Sequence, residues 1–251
     1  MKVSDSKKYV VAVIVVGLII LAITAANANK DNEKERSELS EVPQIVVESE
    51  EDVQRRQALK ADKDKGLFIL VNKENSVDIS YKPQDLESIK YFAADRSKEG
   101  RYMRAEAAAA FNQLSEDAMK DGYEIVVTTA YRSYSFQKIL YDNYVKNNGQ
   151  AKADTFSAKP GFSEHQTGLA ADVSSPSVNY KLDTEYINTP EGKWLSENAH
   201  KYGFIIRFPK GKEHITGYMY EPWHIRYVGK TAAEKIYSED ITLEEFLEKS
   251  I

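Results

Sequence analysis

The 251-residue chain contains four histidines and no cysteine, so any zinc chemistry must draw on His165, His200, His214 and His224 together with carboxylates. The lack of thiols also excludes disulfide frameworks, zinc ribbons, iron-sulfur sites, thiol nucleophiles and a lipid anchored through an N-terminal cysteine. His165 lies in Ser163-Glu164-His165-Gln166-Thr167-Gly168-Leu169-Ala170-Ala171-Asp172. If Gly168 reverses the chain, His165 and Asp172 can point to one spot. His224 closes Glu221-Pro222-Trp223-His224, three residues after a carboxylate. Two neutral imidazoles and one carboxylate are an ordinary zinc ligand set, and three protein ligands leave a fourth position for water. Glu221, outside that set, is suited to take the water's proton during attack on a carbonyl. Spacing alone leaves His165 and His224 evenly divided between ligands and ordinary buried histidines. His200, at the end of a helical pattern, reads as a surface or capping residue, and His214, beside Lys212 and Glu213, as solvated. No G-x-S-x-G or S-x-x-K pairing stands in a context suited to a serine nucleophile.

These residues must be held by elements that begin near Gly66. Leu67 to Asn72 reads as a strand and Asp85 to Ile89 as a turn of helix. Arg104 to Asp121, rich in alanine, is a helix stopped by Gly122. The β-branched run Tyr123 to Ala130 is a central strand. Ser135 caps a helix that ends at Gly149. Leu169 to Val173, Phe204 to Phe208 and Trp223 to Val228 are further strands. Pro190 opens a helix running through Tyr202, with Gly203 after it. Thr231 with Glu234, and Thr242 with Glu245, have the spacing of capping boxes. Helices and strands mix without regular βαβ alternation, so the predicted class is α+β, a small antiparallel sheet flanked by helices.

With the elements in place, the two motifs match S-x-H-x-x-G-x-A-x-D and E-x-W-H. The chain resembles the zinc carboxypeptidases of the VanY type, the D-alanyl-D-alanine and L,D-carboxypeptidases of bacterial cell walls, over roughly Leu67 to Gly229. The resemblance implies a zinc site in a cleft over the sheet, with His165, Asp172 and His224 as ligands and Glu221 as general base. It also assigns a role to the segment around Arg132. A guanidinium binds a terminal carboxylate through two parallel charge-assisted hydrogen bonds and could equally stabilise an oxyanion. Gln137 and Ser163 match family positions around the terminal D-Ala. Arg207 is a rival carboxylate binder, read in preference as a structural partner on its strand, and Trp223 as core packing or a cleft wall. The implied activity is zinc-dependent release of C-terminal D-alanine from peptidoglycan stem peptides by D,D-cleavage, with L,D-trimming of the tetrapeptide as the alternative. A non-catalytic cell-wall-binding module is the reading from another class; the intact ligand trio and Glu221 stand against it.

The N-terminus bears on location. Tyr9 to Ala26 carries no charge over eighteen residues, about 27 Å as a helix and close to a bilayer's apolar thickness. Lys2, Lys7 and Lys8 precede it and Asp31, Glu33 and Glu35 follow, so the bulk of the protein is expected outside the membrane. Residues 1–28 read as a signal anchor, in preference to a signal peptide cut after Ala26-Asn27-Ala28. Residues 29–62 read as a charged linker, partly helical near its end, and residues 63–251 as the catalytic domain. The net charge of −5 argues against a general nucleic-acid binder. A monomer is expected.

Overall fold

A computed structural model describes residues 49–93 and 98–250. The expected membrane helix and the first part of the linker lie outside the described residues. Among the described residues, no helix is long and apolar enough to cross a membrane. The compact unit begins at Ser49, so it takes in the end of the segment read as linker. There, helix α1 (Glu50–Asp64) is capped by Ser49, whose Oγ accepts from Asp52 N. Its Leu59 packs on the core and Asp62 is buried.

Leu67 to Asn72 forms no strand, contrary to its apolar pattern. Leu67, Phe68 and Val71 are buried, while the Leu67 and Ile69 carbonyls accept hydrogen bonds from Arg226 instead of from a neighbouring strand. A second departure follows at β1 (Leu86–Ser88), read from sequence as a helical turn, which pairs antiparallel with β2 (Tyr102–Arg104).

Helix α2 (Ala105–Lys120) buries Ala107, Ala108, Phe111, Leu114, Ser115 and Ala118, the three-and-four spacing of one helical face. The alanines let it lie close to its neighbours, and Phe111 meets Phe204 edge-on at 6.3 Å. Strand β3 (Val126–Thr129) leads to helix α3 (Tyr134–Asn148) and the short α4 (Gln150–Phe156). The cap of α3 is Ser133, not Ser135: Ser133 is extended, and its Oγ accepts from Phe136 N. Strand β4 (Ala170–Ser174) precedes α5 (Pro190–Asn198), whose last predicted turn, Ala199–Tyr202, is a tighter 3-10 turn. Strand β5 (Phe204–Phe208), the short α6 (Glu213–Thr216) and strand β6 (Glu221–Tyr227) follow. The chain then forms α7 (Lys230–Ser238) and α8 (Leu243–Ser250). Gly229, not Thr231, starts α7. By contrast, Thr242 and Glu245 do form a reciprocal capping box for α8.

The main sheet has the order β3-β4-β6-β5, with each neighbour antiparallel. This is the small antiparallel α+β arrangement expected from the pattern of elements. Alternation along the strands divides the sheet into two faces. Val127, Ala171, Val173, Ile225 and Tyr227 enter the hydrophobic core. Thr128, Asp172, His224 and Arg226 occupy the intervening positions, and all four are buried. One face is therefore apolar packing and the other is dense with polar chemistry.

Candidate metal centre and cleft

Register brings the first two candidate ligands together: Asp172 on β4 lies directly opposite His224 on β6. The third arrives through a turn. Glu164–Thr167 forms a 3-10 turn that ends at Gly168 with φ of 68°, a left-handed conformation natural to glycine. An added Cβ there would come within 2.9 Å of Leu86 Cδ2. The reversal carries His165 beside Asp172, as its seven-residue separation allowed.

The candidate ligand atoms of His165, Asp172 and His224 all lie within 4.8 Å of one another, a group compact enough to hold one metal ion. The donor chemistry also fits. His165 Nδ1 is 2.6 Å from the Ala130 carbonyl, which can only accept, so Nδ1 carries the hydrogen and Nε2 presents its lone pair. Nε2 is 3.3 Å from Asp172 Oδ2. On His224, Nδ1 lies 2.9 Å from Asp172 Oδ1 and Nε2 lies 3.4 Å from Glu164 Oε2. Each ring thus has one nitrogen facing the centre and the other held by an outer acceptor, the arrangement usual for zinc-binding histidines. Two imidazoles and a carboxylate suit zinc.

Electrostatics separate the groups. Burial would raise the Asp172 pKa, but His165 and His224 outweigh it and hold the carboxyl well below the usual range. Burial lowers His165 to about 4, helped by the charge of Arg132. Burial would lower His224 too, yet hydrogen bonds to Asp172 and Glu164 push it up to about 9. Glu221, at the start of β6 with Oε2 3.9 Å from His224 Nδ1, is pushed up to about 7 by burial. A carboxylate poised there is a competent proton acceptor at neutral pH.

A cavity of about 620 Å³ opens over this centre. Arg132, Ser163, His165, Asp172, Glu221 and His224 all line it, and Trp223, half-buried, forms part of its wall. Arg132 follows β3 and stays 13% exposed; one terminal nitrogen donates to Asp172 Oδ2 at 3.3 Å and the other to Gln137 Oε1 at 2.7 Å. Its Nε–H is buried without a partner.

Gln137 is drawn to the site but does not line the cavity. Its Oε1 accepts from Arg132 and its Nε2 donates to the Ala158 carbonyl, so it orients the guanidinium from behind. Arg207 is fully buried and bound to Glu164 and Glu244, the structural-partner role preferred from sequence. His200 stacks on Tyr237 at 3.8 Å, and His214 is exposed; neither joins the centre. Sequence reasoning passed over Glu164, which sits inside the first motif. The available signal was a set of charged residues, Glu164, Arg207 and Arg226, embedded in runs whose neighbours are buried.

An antiparallel sheet carrying a His-His-Asp centre beneath a peptide-sized cleft, with a carboxylate and a guanidinium at its edge, defines a zinc peptidase. Residues 100–230 match the family described as VanY, D-alanyl-D-alanine carboxypeptidase, and the chain belongs to that family. It is 48% identical over 184 residues to the putative carboxypeptidase YodJ of Bacillus subtilis, covering 73% of this chain and 67% of that protein. The solved LdcB LD-carboxypeptidase superposes with a TM-score of 0.69 at 49% identity, over 72% of this chain and 85% of that one. A mutant of the vancomycin-resistance D,D-pentapeptidase VanY, solved in complex with Zn(II), gives 0.60 at 34% identity, over 72% and 98%.

Proposed function

We propose that the protein is a zinc-dependent carboxypeptidase that releases C-terminal D-alanine from peptidoglycan stem peptides by cleaving between two D-Ala residues. The observation that carries this reading is the convergence of His165, Asp172 and His224 at the floor of a cavity also lined by Glu221 and Arg132. His165, Asp172 and His224 would hold a zinc ion, which would supply Lewis-acid activation of the scissile carbonyl and of water. Glu221 accepts the water's proton on its carboxylate and returns it to the leaving amine. Arg132, held by Gln137 and lining the cavity, offers its guanidinium charge to the substrate's terminal carboxylate. Ser163 lines the cavity beside His165, where its hydroxyl can meet the terminal residue.

The 49% identity to an LD-carboxypeptidase, against 34% to a D,D-pentapeptidase, favours a second reading, L,D-cleavage of the tetrapeptide. Incubation of the zinc-loaded protein with purified penta- and tetrapeptides, with products identified by mass, separates the two. Loss of alanine from the pentapeptide alone supports D,D-cleavage; loss from the tetrapeptide supports L,D-cleavage. If neither peptide is shortened, the carboxypeptidase reading falls.

The charge bias around residues 9–26 supports a tether that leaves the catalytic unit outside the membrane, where this substrate lies. Protease digestion of intact cells checks this: the catalytic unit should be degraded from outside. One chain supplies every site residue, which is consistent with a monomer.

A further inference from the structure

We propose that Glu244, Arg207 and Glu164 form a positioning chain that sets the imidazole of His224, making the C-terminal helix α8 part of the catalytic apparatus. Helix α8 lies beyond the family-matched residues 100–230. The inference rests on the zinc-site reading above.

The chain is continuous. Glu164 divides its two oxygens: Oε1 accepts from Arg207 Nε and Arg226 Nη1, each at 2.7 Å, and Oε2 faces His224 Nε2 at 3.4 Å. Arg207 then spends both terminal nitrogens on Glu244, at 2.6 and 2.9 Å, a two-pronged grip that fixes the guanidinium plane. Glu244 is held in turn by Asn72 Nδ2 at 3.1 Å and by its place in the first turn of α8. Arg226 ties the same Glu164 carboxylate to the Leu67 and Ile69 carbonyls. Two guanidiniums and two carboxylates balance, with both arginines fully buried.

This division makes the role more than structural. With Oε1 saturated by two cations, only Oε2 is left for the ring, so the plane of Glu164, and with it the direction of the Nε2–H bond, is dictated by Arg207. Glu244 sets Arg207. Anchoring Nε2–H keeps Nδ1 as the ligating nitrogen and fixes its aim, and loss of such an outer partner typically weakens metal binding by about 10- to 100-fold.

The test measures zinc affinity by chelator competition, alongside thermal unfolding of the metal-free protein, for wild type, Glu164→Gln, Glu244→Gln and Leu243→Ala. Leu243 is fully buried on the same helix but brings no polar side chain to the chain of charges, so it reports what loosening α8 does by itself. We expect Glu164→Gln to weaken zinc by about 10-fold or more and Glu244→Gln by a smaller factor, with kcat reduced and KM unchanged at saturating metal. Leu243→Ala should lower the unfolding temperature and leave zinc affinity intact. Should Glu164→Gln fail to fold, Glu244→Gln decides. Wild-type affinity in a folded Glu244→Gln variant overturns the proposal, as does an equal loss of affinity in Leu243→Ala. A wild-type protein that binds no zinc instead overturns the zinc-site reading beneath it.

Discussion

Two clusters of buried charge share the polar face of the sheet, and they are built on opposite principles. In the quartet of Glu164, Arg207, Arg226 and Glu244, each guanidinium is met by carboxylate or carbonyl oxygen and the charges cancel. Burial would raise the Glu164 pKa, but Arg207 and Arg226 reverse this and hold it well below the usual carboxylate range. In the cleft, Arg132 has a buried Nε–H without a partner, and Glu221, gripped by no guanidinium among the described residues, is pushed up to about 7 by burial. Satisfied charges fix positions, whereas unsatisfied ones remain available for a metal, a proton or a substrate.

The contrast can be broken most severely by removing the metal. Dialysis against a chelator should abolish peptide hydrolysis and lower the unfolding temperature, because zinc binds only the folded state; added zinc should restore both. Next in size, Glu221→Ala should reduce kcat by about 10²- to 10⁴-fold while zinc content, read by elemental analysis, stays at wild type. Unchanged hydrolysis would remove Glu221 from the mechanism. In the other cluster, Glu164→Ala leaves two buried guanidiniums short of their shared partner. The expected cost is about 3–5 kcal/mol of stability, measured by denaturant unfolding of the metal-free protein. Arg132→Lys keeps the charge but loses the planar fork. It should lower kcat/KM by roughly the 1.5–3 kcal/mol typical of a hydrogen bond to a charged group, with little effect on stability.

Acid sharpens the same difference at smaller cost. Glu221 must be ionised to accept a proton, so hydrolysis falls as pH drops through its pKa. That value is about 7 in the metal-free protein and is lowered by the charge of a bound cation, placing the acidic limb below pH 7. Glu164 responds in the same direction but at a lower pH, because its pKa is shifted down where that of Glu221 is shifted up. Its folded pKa lies below the ordinary 4.5, so its stabilising contribution is fully present above that value and fades only as pH falls further. Activity should therefore be lost at a pH where circular dichroism still reports a folded chain.

Local pattern was enough for much of the architecture. Ala105–Lys120 carries its helix in alanine content and spacing, and Thr242 with Glu245 carries a cap, because these interactions join residues within one turn. Leu67 to Asn72 misled, since an apolar run is equally at home in irregular chain when a buried arginine takes its carbonyls. Thr231 misled because Gly229 already starts its helix.

For the site, the residues alone left His165 and His224 evenly divided between ligands and ordinary buried histidines, and it was the resemblance carried by the two motifs that implied the chemistry. Lacking cysteine and carrying two short motifs, the chain pointed to His165, Asp172 and His224 as ligands, with Glu221 beside them. Folding brings those three side chains together as a group that could hold a metal ion. Which groups support them was settled only by folding. Gln137 stands behind Arg132 rather than in the cavity, and Glu244, far along the chain, reaches Glu164 through Arg207. Such partnerships depend on strand register and on the docking of distant helices, which no local spacing encodes, and a buried charge reveals its partner only once the chain has folded around it.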